Sequence, residues 1–390
     1  MTSEERHAAR RNRRVEKRKQ KRLKQTEAFD RFSNMTDMNH LRKAAKLSRA
    51  GVSGKASVQK YFMNELYNEN KARNKLIHHE DVREGFIEFD IHERGHKRHI
   101  RAMHFKERVI QRCLCDYVLI PVLTIPLVYD NGASLKDKGI HFAMFRMSEQ
   151  LRRHFRKCGT EGYILQTDFS KYFDNMQHQP IMDLLTRSFQ DQEVIDLTWQ
   201  FVKAFGDSSL GIGSQVSQIF AVAYPNRSDH YIKEVARIGS SGRYMDDSYA
   251  ISTSKEKLQN LLNGCRDIWN DLGIVVSEKK MHIKPVQRFT FLKVRYILTK
   301  TGKVIMKPCQ KSFTRMRRKL RAFKRFYEAG EMTMDQIIAS YNSWYGYQQH
   351  FNCHTQLRDM DKFFFGMFGI WLRHKKHKRK EHRNAELLCG

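Results

Sequence analysis

The sequence predicts an α+β fold, on three observations. Apolar residues recur every three or four positions over long stretches, as at Leu41, Ala44, Ala45 and Leu47 and again at Leu258, Leu261, Leu262, Ile268, Trp269 and Leu272, which marks helices with one buried face. Shorter runs alternate or are continuously apolar, at 86–91, 163–167 and 289–292, which marks strands. Both kinds of segment intermix along 390 residues of 40% apolar content, enough for a substantial core in about two or three subdomains.

In chain order, residues 1 to about 25 run from Arg6 through Arg10-Arg11-Asn12-Arg13-Arg14 to Lys21-Arg22-Leu23-Lys24 with little to bury, and read as a disordered arm or an exposed helix. Helical spacing follows from Leu41 to about Leu76, broken at Gly51-Val52-Ser53-Gly54. The strand at 86–91 leads into Gly95-His96-Lys97-Arg98-His99-Ile100, read as a turn whose basic side chains could grip a triphosphate. Glu107-Arg108-Val109-Ile110-Gln111 opens an apolar helix through Leu119, and 129–139 is a loop.

The strand 163–167 ends in Asp168-Phe169-Ser170-Lys171-Tyr172-Phe173. Further on, Gly211-Ile212-Gly213-Ser214-Gln215-Val216-Ser217-Gln218 is a glycine-rich turn running into an apolar helix; glycine lets backbone approach a ligand closely, and a helix N-terminus favours anions. Residues 242–252 read as a β-hairpin with Asp246 and Asp247 at its tip. Adjacent carboxylates repel and raise each other's pKa unless they share a cation, and Mg²⁺ suits carboxylate oxygens together with phosphates and water. An Asp-Asp turn alone is usually a solvated turn. Asp168 changes that reading, because two-metal phosphoryl transfer needs a further carboxylate from a neighbouring strand.

Past the hairpin come a helix over 258–272, the segment Val275-Val276-Ser277-Glu278-Lys279-Lys280, a strand at 289–292 and a turn at Thr301-Gly302. Residues 312–326 form a basic amphipathic helix with Met316, Leu320 and Phe323 on its buried side and Arg315, Arg317, Arg318, Lys319, Arg321 and Lys324 around it; 332–347 and 360–372 supply further helices. Trp344, Tyr345 and Tyr347 read as core or as stacking surfaces, with core favoured. A basic tail, His374-Lys375-Lys376-His377-Lys378-Arg379-Lys380, follows.

The net charge of +30 points to a polyanionic partner, and nucleic acid fits better than a membrane because no apolar run reaches the about 18–20 residues of a spanning helix. The charged opening of the chain reads as cytoplasmic. Seven cysteines without paired spacing read as reduced thiols, and Cys113-x-Cys115 and His350 with Cys353-His354 fall short of a zinc pattern.

The order of these motifs, Asp168 with Phe173, Gly213 to Ser217, Tyr244-Met245-Asp246-Asp247, Lys279-Lys280 and Phe291-Leu292-Lys293, resembles the palm of reverse transcriptases, with the bacterial branch fitting best, over roughly residues 60 to 365. The resemblance implies a right-hand polymerase, with mainly fingers and N-terminal helices at 36–162, a palm of antiparallel sheet packed on helices together with part of the fingers at 163–304, and a helical thumb at 305–372, between the basic arm at 1–35 and the basic tail at 373–390. It implies RNA-directed DNA synthesis with two Mg²⁺ ions, Mn²⁺ being a substitute. Asp168 and Asp246 would bridge the metals, Asp247 would support them, and Phe169 and Ser170 would lend backbone to metal and triphosphate. Arg98, helped by Lys97, would hold the triphosphate, and Lys280 would protonate departing pyrophosphate. Tyr244 and Met245, with Arg315, Arg318 and Lys319 of the thumb, would contact nucleic acid.

Phe173 would lie against the sugar C2′, where a 2′-hydroxyl would clash and find no partner, at a cost of about 1–3 kcal/mol, so the site would select dNTPs. Ile212 departs from the commonest family pattern, which has Gln before this glycine and Pro after Ser217. Together with Gly213 it looks like the form in diversity-generating retroelement or defence-associated enzymes, which implies low fidelity. The partners implied are an RNA template, a DNA or RNA primer and dNTPs, with a dedicated non-coding RNA and an accessory protein admitted. Other readings are an inactive RNA-binding scaffold, a group II intron or retron-type enzyme, and an RNA-copying RNA polymerase.

Overall fold

A computed structural model describes residues 3–93 and 96–374. The chain divides into two compact units, one built from Met1–Met147 and Ile164–Ile283, the other from Ser148–Tyr163 and the chain from Lys284 onward.

The first unit opens with the exposed helix Ser3–Thr26, the second of the two readings of the basic arm. Its last turn is anchored: Thr26 is buried, and Arg22 donates to the Arg187 carbonyl. The helices Met38–Ser48, Ala56–Met63 and Glu65–Ile77 follow the apolar spacing, and the Asp37 carboxylate caps the first by accepting from the amides of Asn39 and His40.

Strands β1, Phe86–Glu93, and β2, His96–Met103, form a two-stranded antiparallel hairpin in the register Phe86↔Met103 to Glu93↔His96. This corrects the reading of Lys97 to Ile100 as a turn. Those residues are strand, because the period-two pattern of β1 needs a partner of equal length and the chain returns at once to supply it.

The helix Phe105–Leu114 continues through a π-helical turn, Cys115–Leu119, into Ile120–Leu123. Pro121 has no amide to give an i→i−4 bond, and the widened turn lies immediately before it. Sequence spacing did not reveal the helices Ile140–Cys158, His178–Ser188 and Gln192–Lys203.

Strands β3, Tyr163–Thr167, β4, Ser241–Tyr244, β5, Asp247–Ser252, and β6, His282–Pro285, form one sheet in the order β4-β5-β3-β6. The helix Lys255–Asp271 turns Leu258, Leu261, Leu262, Ile268 and Trp269 inward.

In the second unit β7, Arg288–Phe291, β8, Val294–Leu298, and β9, Val304–Pro308, make an antiparallel sheet. Phe289 stacks on Tyr296 across it. Gly302 turns the chain at φ 79, where a Cβ would meet the Phe155 ring at 2.4 Å. The helices Gln310–Glu328, Met334–Gln348 and His354–Phe368 complete the unit; the last starts six residues before the expected 360. Phe313, Tyr341 and Phe364 are buried there, and Trp344 packs edge-on against Phe313.

Candidate active site

Strand β3 is buried at Ile164, Leu165 and Thr167 and delivers Asp168, itself buried, just past its end. Backbone pairing fixes that position: the Ser277 amide donates to the Asp168 carbonyl and the Ser170 amide to the Val275 carbonyl, each at 2.8 Å. The hairpin tip is brought alongside, since the Phe169 amide donates to the Asp246 carbonyl at 3.3 Å and the Thr167 and Ser248 hydroxyls meet at 2.6 Å. Tyr244 pairs with Asp247 across a tight turn in which Met245 takes the left-handed φ of 55°.

The three carboxylates therefore converge from two segments. Burial, followed by the charges of Asp246 and Asp168, pushes the Asp247 carboxyl up to about 7. The Lys280 ammonium answers Asp168, donating to both of its oxygens at 2.8 Å, and that hydrogen bond holds the lysine above its ordinary value. Among the described residues no three acidic, histidine or cysteine side chains form a ready-made metal cage. The donor set nonetheless fits a hard divalent ion, for the ligands would be oxygen anions and the ion would offset the burial and the repulsion that together lift Asp247.

The other expected site residues fall into three groups. Beside the carboxylates, the Phe169 ring packs on Tyr172 and Trp269, and the amides of Phe169 and Ser170 are already engaged within the fold. Phe173 presents a half-buried ring edge-on to Tyr172, and its carbonyl accepts from the Leu210 amide at 2.8 Å. Tyr244 and Met245 are half-buried at the tip.

The second group surrounds the glycine turn. Ile212 is exposed, and Gly213 has φ 124° with the Arg101 carbonyl 2.6 Å from where a Cβ would sit. The glycine is thus required by the close approach of β2, whatever a ligand asks of it. Ser214 caps the helix Gln215–Ala223, and its hydroxyl donates to Gln111, whose amide donates to Glu107, which accepts from the Glu84 amide. This buried chain ties the cap to the root of β1. Its polar positions on an apolar helix, Glu107 and Gln111 one turn apart, were the signal for it in the sequence.

The third group lies on β2 and in the second unit. Lys97 is exposed and paired with Asp90 at 2.9 Å; the Arg98 side chain lies outside the described residues, as does the basic tail from Lys375. Arg315 and Arg318 are exposed on the helix Gln310–Glu328 of the second unit, and Lys319 there donates to Ser340 at 2.9 Å. Leu292 and Lys293, at the turn after β7, both take left-handed φ values of 48° and 64°. Sequence reasoning missed Arg243 and Asp229, a fully buried pair behind the tip; an arginine in the inward phase of a strand was the signal.

Residues 106–296 match the family described as reverse transcriptase (RNA-dependent DNA polymerase). Similar solved structures include telomerase from Candida albicans in complex with a TWJ fragment of telomeric RNA, at 13% identity and TM-score 0.45 over 74% of this chain and 60% of that one. Apo telomerase from Candida tropicalis truncated from its C-terminal domain gives 14% identity, TM-score 0.43, and 57% and 55% coverage. Another structure of apo telomerase from that organism gives 13% identity, TM-score 0.42, and 58% and 49% coverage. The chain thus spans about half to 60% of the length of these structures. No curated protein matches it. The mixed helices and antiparallel sheets are those of a reverse transcriptase fold, and residues 106–296 are an RNA-directed DNA polymerase domain.

Proposed function

We propose that this chain, whose residues 106–296 form a reverse transcriptase domain, copies an RNA template into cDNA by two-metal nucleotidyl transfer. The observation that carries the reading is the convergence of Asp168, Asp246 and Asp247. Bound between them, two Mg²⁺ ions would neutralise charge developing on the transferred phosphoryl group. The protein's part is to hold three oxygen anions where repulsion alone would separate them. Asp168 and Asp246 are the bridging ligands and Asp247 the supporting one. Lys280, poised as a protonated ammonium on Asp168, is the general acid for the leaving pyrophosphate.

Phe173 supplies sugar selection, and its half-buried ring supports that role better than a core role. Arg98 holds the triphosphate, with Lys97 only a helper that keeps its own pair with Asp90; Tyr244 and Met245 contact the primer end, and Arg315, Arg318 and Lys319 the duplex, in fingers, palm and thumb divided at 162, 304 and 372. The helix Ser3–Thr26 adds phosphate contacts. The system served is a bacterial diversity-generating retroelement or phage-defence element, acting in the cytoplasm, and the support is the exposed aliphatic Ile212 at the glycine turn. If that aliphatic side chain lowers fidelity, Ile212→Gln reduces misincorporation opposite template adenine; unchanged error spectra refute it.

The test of the activity is extension of a primer on an RNA template. Incorporation of dNTPs that needs Mg²⁺ and excludes rNTPs is the expected result. The bidentate hold of Lys280 on Asp168 favours one rival, a scaffold whose site is closed by its own lysine. That rival gains if the folded protein binds RNA and incorporates nothing.

A further inference from the structure

Behind the carboxylate turn lies a buried cation that the chemistry above does not use. Arg243, on β4 three residues before Asp246, is 3% exposed, and Asp229, in the short helix Asn226–His230, is 5% exposed. The guanidinium Nε donates to both oxygens of Asp229 at 3.0 Å and Nη2 donates to one of them at 2.7 Å. Two further bonds leave the same plane. Nη2 donates to the Val222 carbonyl at 2.8 Å, and Nη1 donates to the Met245 carbonyl at 3.2 Å.

Each bond has a structural meaning. Val222 closes the helix Gln215–Ala223, whose cap Ser214 is tied to the β1 root, and its carbonyl also accepts from Asn131. Met245 is the left-handed residue of the turn, a conformation that persists only when its surroundings hold it. The Met245 carbonyl belongs to the peptide that leads into Asp246. The backbone of Arg243 is fixed as well: its amide donates to the Asp130 carbonyl and its carbonyl accepts from the Gly132 amide.

We propose that Arg243, oriented by Asp229, is a positioning residue that locks the Met245 peptide and thereby sets where Asp246 and Asp247 present their oxygens to a divalent ion. Only a planar fork of five donors can serve Asp229, Val222 and Met245 at once; a lysine ammonium has no such plane. Ion pairs this deeply buried add little to stability compared with apolar residues of the same volume, so the pair's value lies in geometry. The proposal depends on the polymerase reading only for its activity readout.

The test uses the full chain with two variants, Arg243→Lys and the double variant Arg243→Met with Asp229→Leu, which leaves no charge buried alone. Hydrogen exchange is followed in metal-free protein, Mn²⁺ binding by EPR, and primer extension last. In the double variant, folded with a near-parental melting temperature, amides of 244–247 exchange faster while those of the helix Lys255–Asp271 do not. Mn²⁺ binds about tenfold more weakly, and kcat falls by about a hundredfold with little change in KM for dNTP. Arg243→Lys gives the same pattern. Parental exchange and parental Mn²⁺ affinity in either folded variant overturn the proposal. So does a double variant that fails to fold, because a pair valued for geometry alone should be replaceable by apolar groups. A parent that binds Mn²⁺ and synthesises nothing refutes the polymerase reading instead, and exchange and Mn²⁺ affinity still decide this one.

Discussion

Two antiparallel hairpins of the first unit treat their charges in opposite ways. In 86–103, Lys97 and His99 both reach Asp90 and Arg101 reaches Glu88, all across the strands and all solvent-exposed, while Ile87, Phe89 and Ile91 stand exposed on the other face. In 241–252 the charges are sunk into the fold: Arg243 is buried on Asp229, and Asp247 is largely desolvated beside two other carboxylates. Exposed ion pairs are screened and restrain a hairpin weakly. Buried ones cannot be left unpaired and therefore fix position. The first hairpin is built to be adjusted and the second to stay put.

The sharpest way to break that contrast is at the tip of the second. Asp246→Ala removes an oxygen anion whose position the fold holds, and cDNA synthesis is expected to fall by about a thousandfold or more, with the melting temperature kept. Extension assays on folded protein check it, and residual synthesis near the parental rate would falsify the carboxylate site altogether.

Asp247 tests the energetic side of the same claim. A carboxyl whose pKa is raised to about 7 in the fold, from 3.8 unfolded, opposes folding once ionised. Stability is therefore lost as pH rises from about 4 through about 7 in metal-free protein, and Asp247→Asn should recover it. In EDTA at pH 8 the variant is expected to melt about 2–4 °C higher than the parent, with no gain near pH 4. Extension by the same variant falls, so stability and activity part company. A variant that melts lower at pH 8 would show that the carboxylate is satisfied within the fold without a divalent ion, Lys280 being the cation at hand.

The same contrast explains what could be read in advance. The hairpin tip, β3 and the glycine turn with its helix were legible because their signals are local: a short strand-forming run meeting acids at its end, or glycine followed by an apolar stripe. The partners of those elements were not. Arg243 meets Asp229 only through the fold, Gly213 owes its identity to the Arg101 carbonyl more than a hundred residues earlier, and Lys280 reaches Asp168 from as far in the other direction. None of these leaves a spacing to find. The basic run at 96–100 was misread for a related reason, since its charges look alike in a turn or a ladder and pairing with β1 decides between them.

Lys97→Ala is the gentlest test and bears on the first hairpin. The ammonium is 64% exposed and shared with Asp90, which also takes His99, and these two hydrogen bonds hold Asp90 below its ordinary pKa. Losing a screened pair of this kind changes little, so the expected rise in KM for dNTP is less than about threefold. A charge-assisted bond from Lys97 to the triphosphate would be worth more, and its loss would raise KM by about tenfold or beyond. Steady-state kinetics against dNTP concentration separates the two. The larger effect would mean that the hairpin gives up its own ion pair to the substrate, which an exposed ladder can do at small cost and the buried pair behind Asp246 cannot.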